Sequence, residues 1–219
     1  MIRLRALLLA TLLGLAGGPL TLAAHPHAWI DLAITLERDA DGRITHMHHS
    51  WRFDPTYGQY LDEDAQEHQP GDTPEQRLQA MAREIHANLS EYHWYSHVEA
   101  GGEPIAVTPA GAATMAREDR TLSLRFRLAL EQPVDPAVTP LHYKVYDPTY
   151  FIEILHQQPH GTRILGPGGL AAPGCRVELT QPRPDPAMVA RAMALDYGAT
   201  AEYDLGRHFA EQVRVRCDA

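Results

Sequence analysis

After its first 24 residues the chain has no apolar stretch approaching the roughly 20 residues a membrane-crossing helix needs, which excludes a polytopic membrane protein. It has no surplus of positive charge. The formal net charge is -9, and such a surface repels nucleic acid and concentrates cations. The signatures of common catalysts are missing as well: there is no G-x-S-x-G elbow, no phosphate-cradling glycine loop and no H-E-x-x-H pair. No solenoid-type repeat is visible, and nothing in the chain demands an enzyme. Cysteine is scarce, with only Cys175 and Cys217 present.

The N-terminal segment has the three parts of a secretory leader in order. Arg3 and Arg5 form a basic start, Ala6 to Leu15 an apolar run, and Gly17, Gly18, Thr21, Ala23 and Ala24 a small-residue stretch. The first acid is Asp31, and Gly14, Gly17, Gly18 and Pro19 break the run too early for a permanent anchor. Residues 1–24 are therefore expected to be a cleaved signal peptide, cut after Ala24 or after Ala23, which delivers residues 25–219 to the periplasm. The mature chain would carry a formal charge of about -11. In that oxidising compartment Cys175 and Cys217 are expected to form a disulfide, with a metal-thiolate pair as the rival reading.

Hydrophobic periodicity sets the expected fold. Ala28, Ile30, Leu32, Ile34 and Leu36 alternate with polar or small residues, and a second run spans Ile44 to Phe53, so an antiparallel hairpin turns at Asp39-Ala40-Asp41-Gly42. Asp54-Pro55 opens a short helix to about Ala65. Thr73-Pro74-Glu75-Gln76 opens a second, whose stripe Leu78, Met81, Ile85, Leu89 and Tyr92 runs to about Tyr95. Strands are expected at Thr121 to Leu130, Leu141 to Val145, Tyr150 to Leu155, Thr162 to Leu165 and Arg176 to Leu179. A helix follows from Pro186 to about Leu195, with Gly198 past its end, and the tail from Phe209 to Arg216 returns as a strand. The expected class is a single α+β domain, antiparallel and β-rich, with a helical insertion at about 54–96, a C-terminal helix and one disulfide. The pentapeptides Phe53-Asp54-Pro55-Thr56-Tyr57 and Tyr146-Asp147-Pro148-Thr149-Tyr150 echo one another, their aspartates reading as cap or turn residues.

Thirteen histidines pose the chemical question, because imidazole is the commonest nitrogen ligand for transition metals. Cleavage after Ala24 would make His25 the N-terminal residue, so its α-amine and ring, with the His27 ring, form a metal clamp. Pro26 has no N–H to lose, which rules out the amine-terminal copper motif that needs a deprotonated amide at that position. His46 and His48 share one face of the second strand and are candidate ligands, one of them placed near Trp29 or Asp31 if the first hairpin is in register; a solvated polar face explains them equally well. His49 lies on the opposite, inward face. His86, His93 and His97 read as one stripe on and just beyond the second helix, and His156 and His160 flank a turn.

His25-Pro26-His27-Ala28-Trp29-Ile30-Asp31, Trp51-Arg52-Phe53-Asp54, Val145-Tyr146-Asp147-Pro148-Thr149-Tyr150 and Gly174-Cys175 together resemble the periplasmic family called domain of unknown function 1007. Its members are described as ABC-type transport components and are often encoded beside nickel/cobalt transporters. The resemblance covers essentially the whole mature chain and implies a periplasmic role in transition-metal transport. Where many members carry a calcium-loop-like D-x-D-x-D-G stretch, this chain has Leu61-Asp62-Glu63-Asp64-Ala65. The expectation is an accessory protein that buffers a divalent Zn, Ni, Co or Cu ion or delivers it to an inner-membrane transporter. His25, His27, Asp31, His46 and His48 are the candidate ligands. A histidine-brace copper oxidoreductase and a docking subunit that holds no metal are the alternatives.

Overall fold

The structure is a computed structural model and describes residues 26–119, 121–158, 161–195 and 204–218. The proposed leader, His25, His160 and Gly198 lie outside the described residues. The chain opens with a hairpin of β1 (Ala28–Arg38) and β2 (Ile44–Phe53), paired from Ile30 opposite Phe53 to Glu37 opposite His46. Alternation is strict in β1: Ile30, Leu32, Ile34 and Leu36 are buried, while the intervening side chains point away from the core.

Asp54 then accepts hydrogen bonds from the backbone N–H groups of Thr56 and Tyr57 and starts α1 (Pro55–His68). Thr73 and Gln76 complete a reciprocal capping box at the start of α2 (Pro74–Asn88). This helix ends earlier than its apolar stripe suggests. Leu89–Tyr95 is a kinked 3-10 segment in which His93, Trp94 and Tyr95 take φ values of 52°, 50° and 56°. A left-handed L-residue costs roughly 1–2 kcal/mol, so three in succession persist only because neighbours hold them. The Trp94 indole donates to the His86 carbonyl at 3.0 Å, and the Tyr146 N–H donates to the Tyr95 carbonyl at 3.0 Å. Tyr92 is consequently exposed rather than part of the buried stripe.

The rest of the chain supplies β3 (Ser96–Ala100), β4 (Glu103–Ile105), β5 (Val107–Pro109), β6 (Thr114–Glu118) and β7 (Thr121–Val134). These are followed by β8 (Leu141–Val145), β9 (Ile152–His156), β10 (Thr162–Leu165) and β11 (Cys175–Thr180), then helix α3 (Pro186–Met193) and β12 (Gln212–Cys217). One sheet runs β10-β1-β2-β7-β5, with β9 also on β1 and β6 also on β7; the other runs β11-β12-β8-β3-β4. The class is α+β. Most pairings are antiparallel, but β9 and β10 run parallel to β1, a departure from a purely antiparallel sheet. The chain reaches them only after passing through the second sheet, and such a long crossover permits parallel entry.

One apolar core joins the two sheets and the helical hairpin, through Trp51, Leu124 and Phe126 of the first sheet, Val98, Tyr143 and Val213 of the second, and Leu61 and Met81 of the helices. A smaller cluster of Tyr150, Ala192 and Leu205 fastens α3 beside it. Cys175 and Cys217 face each other across β11 and β12 and form the expected disulfide. Their separation of 42 residues implies a stabilisation of roughly 4 kcal/mol by chain-entropy reasoning. Reduction should therefore lower the unfolding free energy by roughly 2–4 kcal/mol in urea titrations with and without dithiothreitol, and a loss below about 1 kcal/mol would contradict this role.

Candidate functional site

The residues at the start of β1 are held from both sides by the two D-P-T-Y turns. Asp54 uses Oδ1 to cap α1 and Oδ2 to accept the Trp29 N–H at 3.0 Å, while its own N–H donates to the Trp29 carbonyl at 2.9 Å. Asp147 repeats this division of labour: Oδ1 accepts the Thr149 N–H at 2.9 Å and Oδ2 the Ile152 N–H at 3.0 Å. The second turn does not become a helix, because Tyr150 is left-handed, with φ 59°. Its Phe151 carbonyl then accepts the N–H groups of His27 at 2.8 Å and Ala28 at 3.3 Å. Glu153 adds side-chain bonds, accepting from the Trp29 indole at 3.0 Å and the Tyr150 hydroxyl at 3.2 Å. Gly206 lies against this turn, donating to the Pro148 carbonyl, and any Cβ there would run into the Asp147 carbonyl.

His27 therefore leaves the end of a fixed strand, its ring 5.1 Å from that of Phe151. The other candidate ligands do not gather around it. Asp31 is exposed and lies opposite Arg52, whereas His48 lies opposite Thr35 and His46 opposite Glu37. Thr35 is eight residues along β1 from His27, about 26 Å at the rise of a strand, so His27 and His48 cannot share an ion. The hairpin register likewise keeps Asp31 about 13 Å along the strand from Thr35, the partner of His48, and the expected convergence of Asp31 with His46 and His48 does not occur. His48 Nε2 instead meets Glu37 Oε2 at 2.8 Å, and Arg127 donates to the same oxygen at 2.8 Å. The His48 hydrogen bond holds the Glu37 carboxyl below its usual range. Partial burial lowers the His46 pKa. This end of the sheet is a charged, solvated face.

His93 and His97 do not form a helical pair. His93 lies in the left-handed kink, and His97 is on β3, its ring stacked 4.3 Å from Tyr146. Among the described residues no group of three or more His, Cys, Asp or Glu is arranged to hold a metal ion.

Two buried histidines serve the fold in other ways. His49 stacks on Phe126 at 4.5 Å, and its Nδ1 accepts from the Trp51 indole at 3.3 Å. Ser96 Oγ gives its proton to the Trp94 carbonyl and so is free to accept from His49 Nε2 at 3.4 Å, which sets the tautomer. Burial lowers the His49 pKa to about 3. His156 sits between the two sheets with both ring nitrogens engaged. Nδ1 donates to Glu211 Oε2 at 2.8 Å, Nε2 meets the Tyr143 hydroxyl at 3.1 Å, and that hydroxyl meets Thr162 Oγ1 at 2.7 Å. Burial alone would raise the Glu211 carboxyl, but hydrogen bonds from the His156 ring and backbone and from Gln181 outweigh it and keep the carboxyl below its usual range. This network was not legible in the sequence, although an acid inside the otherwise apolar approach to a strand, Phe209-Ala210-Glu211-Gln212-Val213, is the signal that could have exposed it.

A third feature is an aromatic cleft of about 210 Å³ between the helices and the first sheet, walled by Trp51, Phe53, Tyr57, Tyr92 and Tyr95 with Ile152 at one edge. It adjoins the β1 anchor, since Ile152 pairs with Ala28 and Phe53 precedes Asp54.

Taken together, the chain is a disulfide-linked, two-sheet α+β protein whose N-terminal strand is clamped by a repeated turn. It belongs to the family described as protein of unknown function (DUF1007), whose profile matches residues 9–217. No curated protein matches the chain. The disulfide fits an extracytoplasmic location, and no helix among the described residues is long and apolar enough to cross a membrane.

Two pH effects follow from the buried groups. His49 is neutral in the fold and ordinarily titrates near 6.5, so its contribution is complete above that pH and is lost as pH falls toward 3, at about 1.4 kcal/mol per unit. His49→Phe should be less stable at pH 7 yet show a flatter decline between pH 6.5 and 4.5 in thermal unfolding; an unchanged slope would contradict the assignment. Glu211 has the ordinary carboxylate sign: its contribution is present above about pH 4.5 and is lost as pH falls through the lowered folded value. Glu211→Gln sets an amide donor against either His156 or Gln181 and should cost about 2–4 kcal/mol at pH 7, read by urea unfolding.

Proposed function

We propose that the protein handles a divalent transition-metal ion in the periplasm, presenting it on the His25-Pro26-His27 segment for exchange with an inner-membrane transporter. The observation that carries this reading is the investment of structure immediately behind His27. Two D-P-T-Y turns, Glu153 and the parallel pairing with β9 fix the strand that begins directly after His27. The two imidazoles would supply nitrogen donors suited to Zn, Ni, Co or Cu, and the α-amine would join them if the leader is cut after Ala24. Two imidazoles would leave coordination positions for water or for a ligand from the receiving protein, which suits transfer better than permanent storage. The net charge of -9 favours cation capture in the same way. The charged face holding His46 and His48 has no part in this reading, because Glu37 and Arg127 already occupy it.

The test is calorimetric titration of Zn, Ni, Co and Cu ions into protein exported to the periplasm, its terminus established by intact mass. His27→Ala should weaken binding of the preferred ion at least about tenfold, or about 1.4 kcal/mol, while the double substitution His46→Ala, His48→Ala should change it less than about twofold. Wild-type binding should also weaken as pH falls through about 6.5, because coordinating imidazoles must be neutral. Loss of binding only in the His46, His48 variant would move the site to the sheet face, and no binding of any of the four ions would overturn the proposal.

A further inference from the structure

The aromatic cleft is unrelated to the histidine segment in chemistry and is built with unusual care. Trp51 and Tyr95 stack with ring centroids 5.9 Å apart and planes 13° from parallel. Tyr92 meets Tyr95 as one ring corner, at 6.0 Å and 58°, and Phe53 meets Tyr57 as another, at 5.8 Å and 66°. The left-handed run His93-Trp94-Tyr95 creates the first corner, since it lifts Tyr92 to the exposed rim while Tyr95 stays stacked on Trp51. A regular helical end would have carried Tyr92 on the buried stripe. Backbone strain held beside a preformed cleft is the pattern expected of a binding site.

The electrostatics specify the occupant. Aromatic faces are negative, and a cavity walled by several of them attracts a cation more than a neutral molecule of the same shape. Behind the wall lies Asp147, 3% exposed and next to the Tyr95 hydroxyl. Burial, and after it the Asp147 charge, pushes the Tyr95 phenol well above its usual range, so the hydroxyl stays a neutral donor beside the cleft.

We propose that this cleft binds an organic cation with a compact apolar head, of the quaternary-ammonium class, seated between the Tyr57 and Tyr92–Tyr95 corners. A hydrated metal ion does not fit this role, because the lining is aromatic and aliphatic apart from Asn88 and holds no His, Cys, Asp or Glu. Binding is therefore independent of the metal proposed for the N-terminal segment.

Choline and its neutral carbon isostere 3,3-dimethyl-1-butanol separate charge recognition from simple apolar filling. Isothermal titration of the full chain, with Trp51 fluorescence as a second readout, should show choline binding about three- to thirtyfold more tightly than the alcohol. Tyr92→Ala, at an exposed position, should reduce choline affinity by a similar factor without shifting the thermal midpoint, and addition of EDTA should change nothing. Equal affinities for the two probes would make the cleft an apolar groove only and overturn the proposal. Absence of choline binding, or choline binding that Tyr92→Ala leaves intact, would overturn it too.

Discussion

Strand β1 is paired along both edges, to β2 on one side and to β9 and then β10 on the other, and the rest of the structure is organised around that arrangement. A central strand has no free backbone groups to spare, so its first N–H groups must find acceptors where regular pairing runs out. Asp54 and the Phe151 carbonyl supply them. Each acceptor belongs to a D-P-T-Y turn, one following the antiparallel neighbour and one preceding the parallel neighbour. The echoed pentapeptides are thus two solutions to one hydrogen-bonding problem at the end of one strand.

This constraint also separates the histidines by role. His49 and His156 are enclosed and hydrogen-bonded, and His49 together with Glu211, the carboxylate partner of His156, sets the acid sensitivity of the fold. His48 belongs to an ion-pair group with Glu37 and Arg127. Among the predicted ligands within the described residues, only His27 lies directly before the clamped end of β1. High histidine content is therefore not one site but several uses of the same side chain, and position relative to β1 distinguishes them.

Much of the fold was legible because its signals were local. Alternation in Ala28 to Leu36, the Asp54-Pro55 and Thr73-Pro74 helix starts and the inward side of His49 depend on neighbours within a few residues, and each appears where periodicity and capping place it. The misreadings arose from long-range contacts. The stripe through Leu89 and Tyr92 continued the helical period, but the kink held by Trp94 and Tyr146 cut the helix at Asn88. The parallel entry of β9 and β10 is topological and leaves no periodic trace. The Glu211–His156–Tyr143 chain joins residues 55 and 13 positions apart, and only the packing of the two sheets brings them together. Of the candidate site, the aspartates' capping role could be read from proline at the next position. The distance between His27 and His48 required the strand register.

The most direct measurement is X-ray absorption at the zinc edge of the exported, zinc-loaded protein, with and without His27→Ala. Two imidazole nitrogens at about 2.0 Å, reduced in the variant, with oxygen, and the α-amine nitrogen where the leader is cut after Ala24, completing the shell, is the predicted result. A shell of three or four imidazoles that survives loss of His27 would contradict the claim that metal is held at the clamped N-terminal segment.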